Sequence, residues 1–195
     1  MKTRQRHIIL ASASPRRREL LAQTRLVFRV VPSDYQENIL LKLKPKDLAI
    51  YLASGKAQDV ARRYKNAIVI GADTFVVHRN TVIGKPKSEA EAKKMLRMLS
   101  GTCHVILTGV TIIDTLSEKS VSWATETKVY MKKISSAEIG NYIKSGEPMD
   151  KAGAYAIQGI GAVLIERIEG DYMSAIGLPL NGLAKKLKMF GISIL

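Results

Sequence analysis

The chain has 195 residues, 46% of them hydrophobic and 25% charged, with 14 Gly and 6 Pro, which fits one folded domain over 1–195 and excludes collagen-like and disordered classes. Subtracting 17 acidic from 31 basic side chains leaves a net charge of +14, a balance that draws nucleotides, nucleic acid or acidic lipid headgroups without choosing among them. The lone Cys103 excludes an internal disulfide, and no CxxC or close His/Cys group offers a zinc site.

The amino terminus starts basic, and its apolar run, Ile8 to Ala11, is too short for a signal-peptide core or a membrane span, so a cytoplasmic protein is expected. That run is predicted as a strand, Ser12-Ala13-Ser14-Pro15 as a turn, and Arg16 to Gln23 as a helix with Ser14 at its cap and Pro15 at its first position. Val27 to Val31 is a second strand stopped by Pro32 and followed by the polar loop Ser33 to Glu37. Between Lys46 and Tyr64 apolar residues recur at three and four, the spacing of a helix, weakened only by Gly55.

Ala67 to Ala72 is continuously apolar, as in a strand covered on both faces, and it is predicted to end at Asp73. Phe75-Val76-Val77 and Thr81-Val82-Ile83 flank a hairpin turn at His78-Arg79-Asn80. Ser88 with Glu91 opens a helix through Leu99, and Ser135 with Glu138 opens another that stops near Gly146. Cys103 to Ile113 and Val121 to Met131 read as long strands; His104 and Trp123 within them read as core and sheet packing. Glu147 to Gly161 shows no period and reads as a long loop, Ala162 to Ile168 as a strand, and Leu178 to Phe190 as a closing helix. Helices inserted between strands of both kinds give an α/β class with a mixed sheet.

Three arginines, Arg16, Arg17 and Arg18, fall in the first turn of the first helix, where free N–H groups and the macrodipole already concentrate positive potential. Unpaired, they would together cost about 1 to 3 kcal/mol. A polyanion reverses that sign, since its oxygens receive backbone N–H groups, the Ser12 or Ser14 hydroxyl and the guanidinium forks. The competing reading is an exposed basic turn paired with nearby carboxylates. Lys56 lies in the apolar stripe of its helix, where it either snorkels or meets an anion. Lys85 is held by the following proline. Asp73, at an expected strand end, is placed either to hold Mg²⁺, to accept a proton from water, or simply to close a turn. Glu37 is a second metal ligand if its strand neighbours that of Asp73. The small residues around Gln158 let a ligand approach the backbone, and its amide suits a nucleobase edge. No Walker A sequence and no GxGxxG fingerprint occurs.

Taken in order, Leu10-Ala11-Ser12-Ala13-Ser14-Pro15-Arg16-Arg17, Lys56-Ala57, Ile70-Gly71-Ala72-Asp73-Thr74, Gly84-Lys85-Pro86, Leu99-Ser100-Gly101, the segment Glu147 to Tyr155 and Gly177-Leu178-Pro179 resemble the Maf family of septum-formation-like nucleoside triphosphate pyrophosphatases. The resemblance implies an inosine triphosphate pyrophosphatase-like fold, a mixed twisted sheet with flanking helices and an active-site cleft between two lobes. It also implies hydrolysis of a nucleoside triphosphate between its α and β phosphates with a divalent cation, Mg²⁺ or Mn²⁺. The form of residues 151 to 159 is similar to the branch acting on dTTP and UTP rather than on 7-methyl-GTP. Carried across, Asp73 is the proton acceptor, Arg16, Thr74 and Gln158 are tied to base choice, Lys56 and Lys85 bind phosphate, and Glu37 fits an acidic loop position. The acidic pair usual in that loop appears here as Gln36-Glu37. Together, Ser12, Arg16, Arg17, Lys56 and Lys85 are expected to hold the triphosphate, with Glu37 and Asp73 on the metal. The resemblance further implies a homodimer, house-cleaning of modified nucleotides and a link to division arrest. The alternatives are another base preference and a basic nucleic-acid-binding module, whose affinity would fall steeply with salt.

Overall fold

The computed structural model describes residues 6–195; the basic positions 2 and 4 that open the chain lie outside that range. The strands are β1 (His7–Ala11), β2 (Phe28–Val30), β3 (Ala67–His78), β4 (Thr81–Ile83), β5 (Cys103–Asp114), β6 (Ser120–Met131) and β7 (Ile165–Gly170). They form a seven-stranded mixed sheet in the order β2-β1-β3-β5-β6-β7, with β4 paired to β3. β1 is parallel to both β2 and β3, while β3–β4 and β6–β7 are antiparallel. The helices are α1 (Pro15–Ala22), α2 (Pro45–Ala61), α3 (Glu89–Leu99), α4 (Ser136–Lys144), α5 (Tyr172–Ile176) and α6 (Leu180–Leu187). No helix among the described residues is long and apolar enough to cross a membrane.

The chain divides into two compact units, one of Met1–Asp73, Thr108–Thr125 and Gly177–Leu195, the other of Thr74–Leu107 and Glu126–Ile176. In the first, Ile9, Ala11, Val69 and Ala67 of the strands bury against Ala57 and Val60 of α2. The helix lies unusually low on the sheet. A Cβ built on Gly71 of β3 would stand 2.6 Å from the carbonyl oxygen of Ala53, and one on Gly109 of β5 only 2.0 Å from that of Ala49. Backbone therefore meets backbone, and α2 is seated where any side chain would lift it.

In the second unit, α3 and α4 pack their apolar stripes together, and both carry the expected Ser caps, Ser88 on Glu91 N and Ser135 on Glu138 N. The predicted hairpin turn holds, with Arg79 and Asn80 both at positive φ, the requirement of a type I′ turn.

Four expectations are corrected. β3 does not stop at Asp73 but runs on to His78, so this carboxylate sits mid-strand; the pairing described below removes the penalty that would have ended the run. The 147–161 loop is organised by short 3-10 turns, and the strand expected at Ala162 starts only at Ile165 because Gly159–Leu164 coils as 3-10. The closing helix is shorter, Leu180–Leu187, and is preceded by α5, whose first turn is capped by Asp171 Oδ1 accepting from Ser174 N at 3.0 Å. Ser14 occupies the N-cap of α1 but makes no side-chain capping bond.

Candidate active site

The turn after β1 brings the first group together. Ser12 is buried, and its hydroxyl accepts from Ser14 N at 3.2 Å and from Arg17 Nη1 at 3.3 Å. Arg17, 8% exposed, also donates through Nε to the carbonyl of Gly177 at 3.0 Å. The three arginines thus part company: Arg17 points inward, Arg16 is half-buried and Arg18 is exposed. Burial pushes the Arg17 guanidinium below its ordinary value and Asp73 and Glu37 pull it back up, while Arg16 adds to the lowering. Those two carboxylates therefore lie within the electrostatic reach of the arginine turn.

Lys56 supplies the second group. Its ammonium donates to Asp73 Oδ1 at 2.5 Å and stands 2.6 Å from Glu37 Oε1. Asp73 has a side chain only 7% exposed, and a carboxylate that deep persists only with a cation or donors beside it. The lysine in the apolar stripe meets an anion, as one of its two readings required. Glu37 arrives by a route the sequence did not show. The strand before it, β2, is separated from β3 by β1, so strand adjacency does not bring the two carboxylates together.

The 33–37 loop is instead pinned to α2. Asp59 Oδ2 accepts from Ser33 Oγ at 3.0 Å, from Asp34 N at 2.9 Å and from Arg63 Nη2 at 2.8 Å, and Ser33 Oγ accepts from Tyr35 N at 3.0 Å. These bonds, led by the backbone N–H of Asp34, hold the Asp59 carboxyl below its ordinary value against a smaller opposing effect of burial. The Tyr35 ring then lies over Gly55, where a Cβ would fall 2.4 Å from its Cζ. Glycine inside a helix costs about 0.5 to 1 kcal/mol relative to alanine, and the ring accounts for its presence here. Burial, a hydrogen bond to Tyr51 and the charges of Glu37 and Asp73 all push the Tyr35 phenol up.

Thr74, Lys85 and Gln158 belong to the second unit. Thr74 is half-buried in β3, and Lys85 and Gln158 are exposed. The segments carrying the latter two are joined, since Gly153 N donates to the carbonyl of Gly84 at 3.0 Å. The turn that follows Gln158 is held by Glu147, whose carboxylate accepts from Tyr142 Oη at 2.7 Å, Gly161 N at 2.8 Å and Ile160 N at 3.1 Å. Tyr35 and Asp59 carry no signal of this role in the sequence, whereas Gly55 interrupts an otherwise regular helix and Glu147 opens one of the segments that carry the family resemblance.

Among the described residues no cluster of three or more His, Cys, Asp or Glu side chains is placed to hold a metal. Two carboxylates do converge, Asp73 and Glu37, and this hard-oxygen pair suits a cation that takes its remaining ligands from substrate phosphates and water, the usual habit of Mg²⁺.

A family model described as Maf-like protein matches residues 7–190. The dTTP/UTP pyrophosphatase of Methanosarcina barkeri is 47% identical over 192 residues, covering 97% of this chain and 96% of that protein. The dTTP/UTP pyrophosphatase of Bacillus mycoides is 46% identical over 185 residues, covering 95% of this chain and 96% of that protein. Among solved structures, the Staphylococcus aureus Ham1 protein superposes with a TM-score of 0.53 at 13% identity, over 93% of this chain and 98% of that one, a likeness of fold.

Proposed function

This chain belongs to the Maf family, and on that premise we propose that it is a nucleoside triphosphate pyrophosphatase that hydrolyses dTTP and UTP to the monophosphate and pyrophosphate. The observation that carries the reading is the convergence of Lys56 on Asp73 and Glu37, in the electrostatic neighbourhood of the buried Arg17 turn. Cleaving a phosphoanhydride requires charge to be neutralised on several oxygens and a water to be aligned, and it needs no covalent intermediate.

In this reading the α1 turn, with Ser12, Arg16 and Arg17, receives phosphate oxygens, and Lys56 and Lys85 add cations. Asp73 takes a proton from the attacking water through Oδ2, since Lys56 engages Oδ1. Water's oxygen bonds to phosphorus as the α–β bridging bond breaks, and pyrophosphate leaves with that bond's electron pair. Glu37 and Asp73 would hold a Mg²⁺ or Mn²⁺ ion, which when bound supplies Lewis-acid neutralisation of the phosphate oxygens. Thr74 and Gln158 face the choice of base, an amide such as Gln158 being able to donate and accept along one pyrimidine edge.

The test is a pyrophosphate-release assay on the full chain with dTTP, UTP, CTP, ATP and GTP. Turnover is expected first with dTTP and UTP, and Asp73→Asn abolishes it while nucleotide binding persists. Parental turnover by that variant would reject Asp73 as the proton acceptor.

A further inference from the structure

Two contacts on adjacent residues of α2 register the acidic loop against the helix. The Tyr35 ring lies on Gly55, with Cζ, Cε2 and Cε1 at 2.4, 2.5 and 2.6 Å from where a Cβ would be. One residue on, the Lys56 ammonium holds Glu37 Oε1 at 2.6 Å. Upstream, the loop backbone is tethered by Ser33 and Asp34 on Asp59, by Arg63 on Asp34 and by Tyr35 N on Ser33 Oγ. Gln36, between Tyr35 and Glu37, is exposed, and the bond it makes, Nε2 to the carbonyl of Asp34 at 3.4 Å, is within the loop itself. The aromatic ring is therefore the last fixed point before the Glu37 carboxylate.

We propose that Tyr35 is a positioning residue: seated in the notch left by Gly55, it sets the reach of Glu37 toward Asp73 and so the affinity of the site for its divalent cation. The proposal rests on the reading that Glu37 and Asp73 share that cation. A ring that only filled space would also be pushed aside by a Cβ at position 55, but the Glu37 carboxylate would keep its reach toward Asp73. A ring that sets a distance is displaced by a single methyl group, and the carboxylate two residues away moves with it.

The experiment uses the full chain and four forms: parent, Gly55→Ala, Tyr35→Ala and the double variant. Mn²⁺ is titrated by its free-ion electron paramagnetic resonance signal in the presence of an α,β-methylene analogue of dUTP, which binds without being cleaved. Gly55→Ala and Tyr35→Ala are each expected to weaken Mn²⁺ by about tenfold, the scale of lost outer-shell support. The double variant is expected to bind no worse than Tyr35→Ala, because the three atoms nearest the added methyl group all belong to the ring that has been removed. Parental Mn²⁺ affinity in Gly55→Ala, or losses that multiply in the double variant, overturns the proposal. Should Gly55→Ala fail to fold, parental affinity in Tyr35→Ala overturns it equally. Asp73→Asn measured alongside separates the two levels: if it loses Mn²⁺ and turnover while the Tyr35 variants match the parent, only the positioning role fails, and if it keeps both, the catalytic reading fails by itself.

Discussion

Arg17 donates through Nε to the carbonyl of Gly177, a residue 160 positions later in the chain. With Ser12 on Nη1, the same side chain ties the first turn of α1 to the segment that opens α6. At least two of its five N–H groups are thus spent on the fold. Arg17→Met takes the guanidinium from the buried carbonyl of Gly177 and one of two donors from the Ser12 hydroxyl, and is expected to lower the unfolding free energy by about 2 kcal/mol, the scale of a hydrogen bond to a charged group. Urea denaturation checks it; an unchanged midpoint would mean that water replaces the guanidinium at no cost.

Lys56 is the shared donor of two carboxylates. Lys56→Met removes the cation between Asp73 and Glu37, which in the proposed reading also meets phosphate. The expected loss in kcat with dTTP is about 10²- to 10³-fold, the effect of deleting one preorganised donor to developing charge. Steady-state pyrophosphate release at saturating Mg²⁺ measures it, and a parental kcat would remove Lys56 from the reacting group.

Glu147 organises the turn that follows Gln158. Burial alone would raise its carboxyl, but the Tyr142 hydroxyl and the N–H groups of Gly161 and Ile160 outweigh that and hold it below the ordinary carboxylate range. Its contribution to stability is therefore present above the ordinary carboxylate pKa and lost as pH falls through the lowered value. Glu147→Ala is expected to cost about 1 to 3 kcal/mol through unpaired N–H groups and to raise KM for dTTP more than it lowers kcat. Equal KM values for parent and variant would detach Glu147 from substrate recognition.

His104 gives a pH signature of a different sign from a surface histidine. Burial, and secondarily the charge of His78, lower it from its ordinary 6.5 to about 4. Burial also pushes the Tyr155 phenol up, and its hydroxyl shares a 2.6 Å hydrogen bond with His104 Nε2. Between these two values the unfolded chain binds the extra proton and the folded chain does not. Stability from this residue is full above pH 6.5 and falls as pH drops toward about 4, by up to about 1.4 kcal/mol per pH unit. In His104→Gln the slope of unfolding free energy against pH should shrink by about one proton across that window. An identical slope in parent and variant would contradict it.

The sequence made legible what depends on local spacing: the capped helices α3 and α4, the I′ hairpin, the arginine turn, and Lys56 as a charge misplaced among apolar residues. It misled where a long-range partner changes the meaning of a residue. Asp73 reads as the end of a strand because an unpaired carboxylate would end one, and only the lysine 17 residues earlier allows β3 to continue. Gly55 reads as a flaw in a helix until Tyr35 fills its notch. Five-residue α5 carries too few turns for any period to register, and its Asp171 cap is a signal only once the helix is known.

The low seating of α2 on Gly71 and Gly109 fixes more than packing. A helix resting on side chains can drift as those side chains are exchanged over evolutionary time, each substitution raising or lowering it slightly. Here the elevation is dictated by two hydrogens in place of methyl groups, a stop that cannot be adjusted in small steps. The height of the Lys56 amine above Asp73 is inherited from that stop, so the geometry of the site is gauged by two glycines buried under the helix.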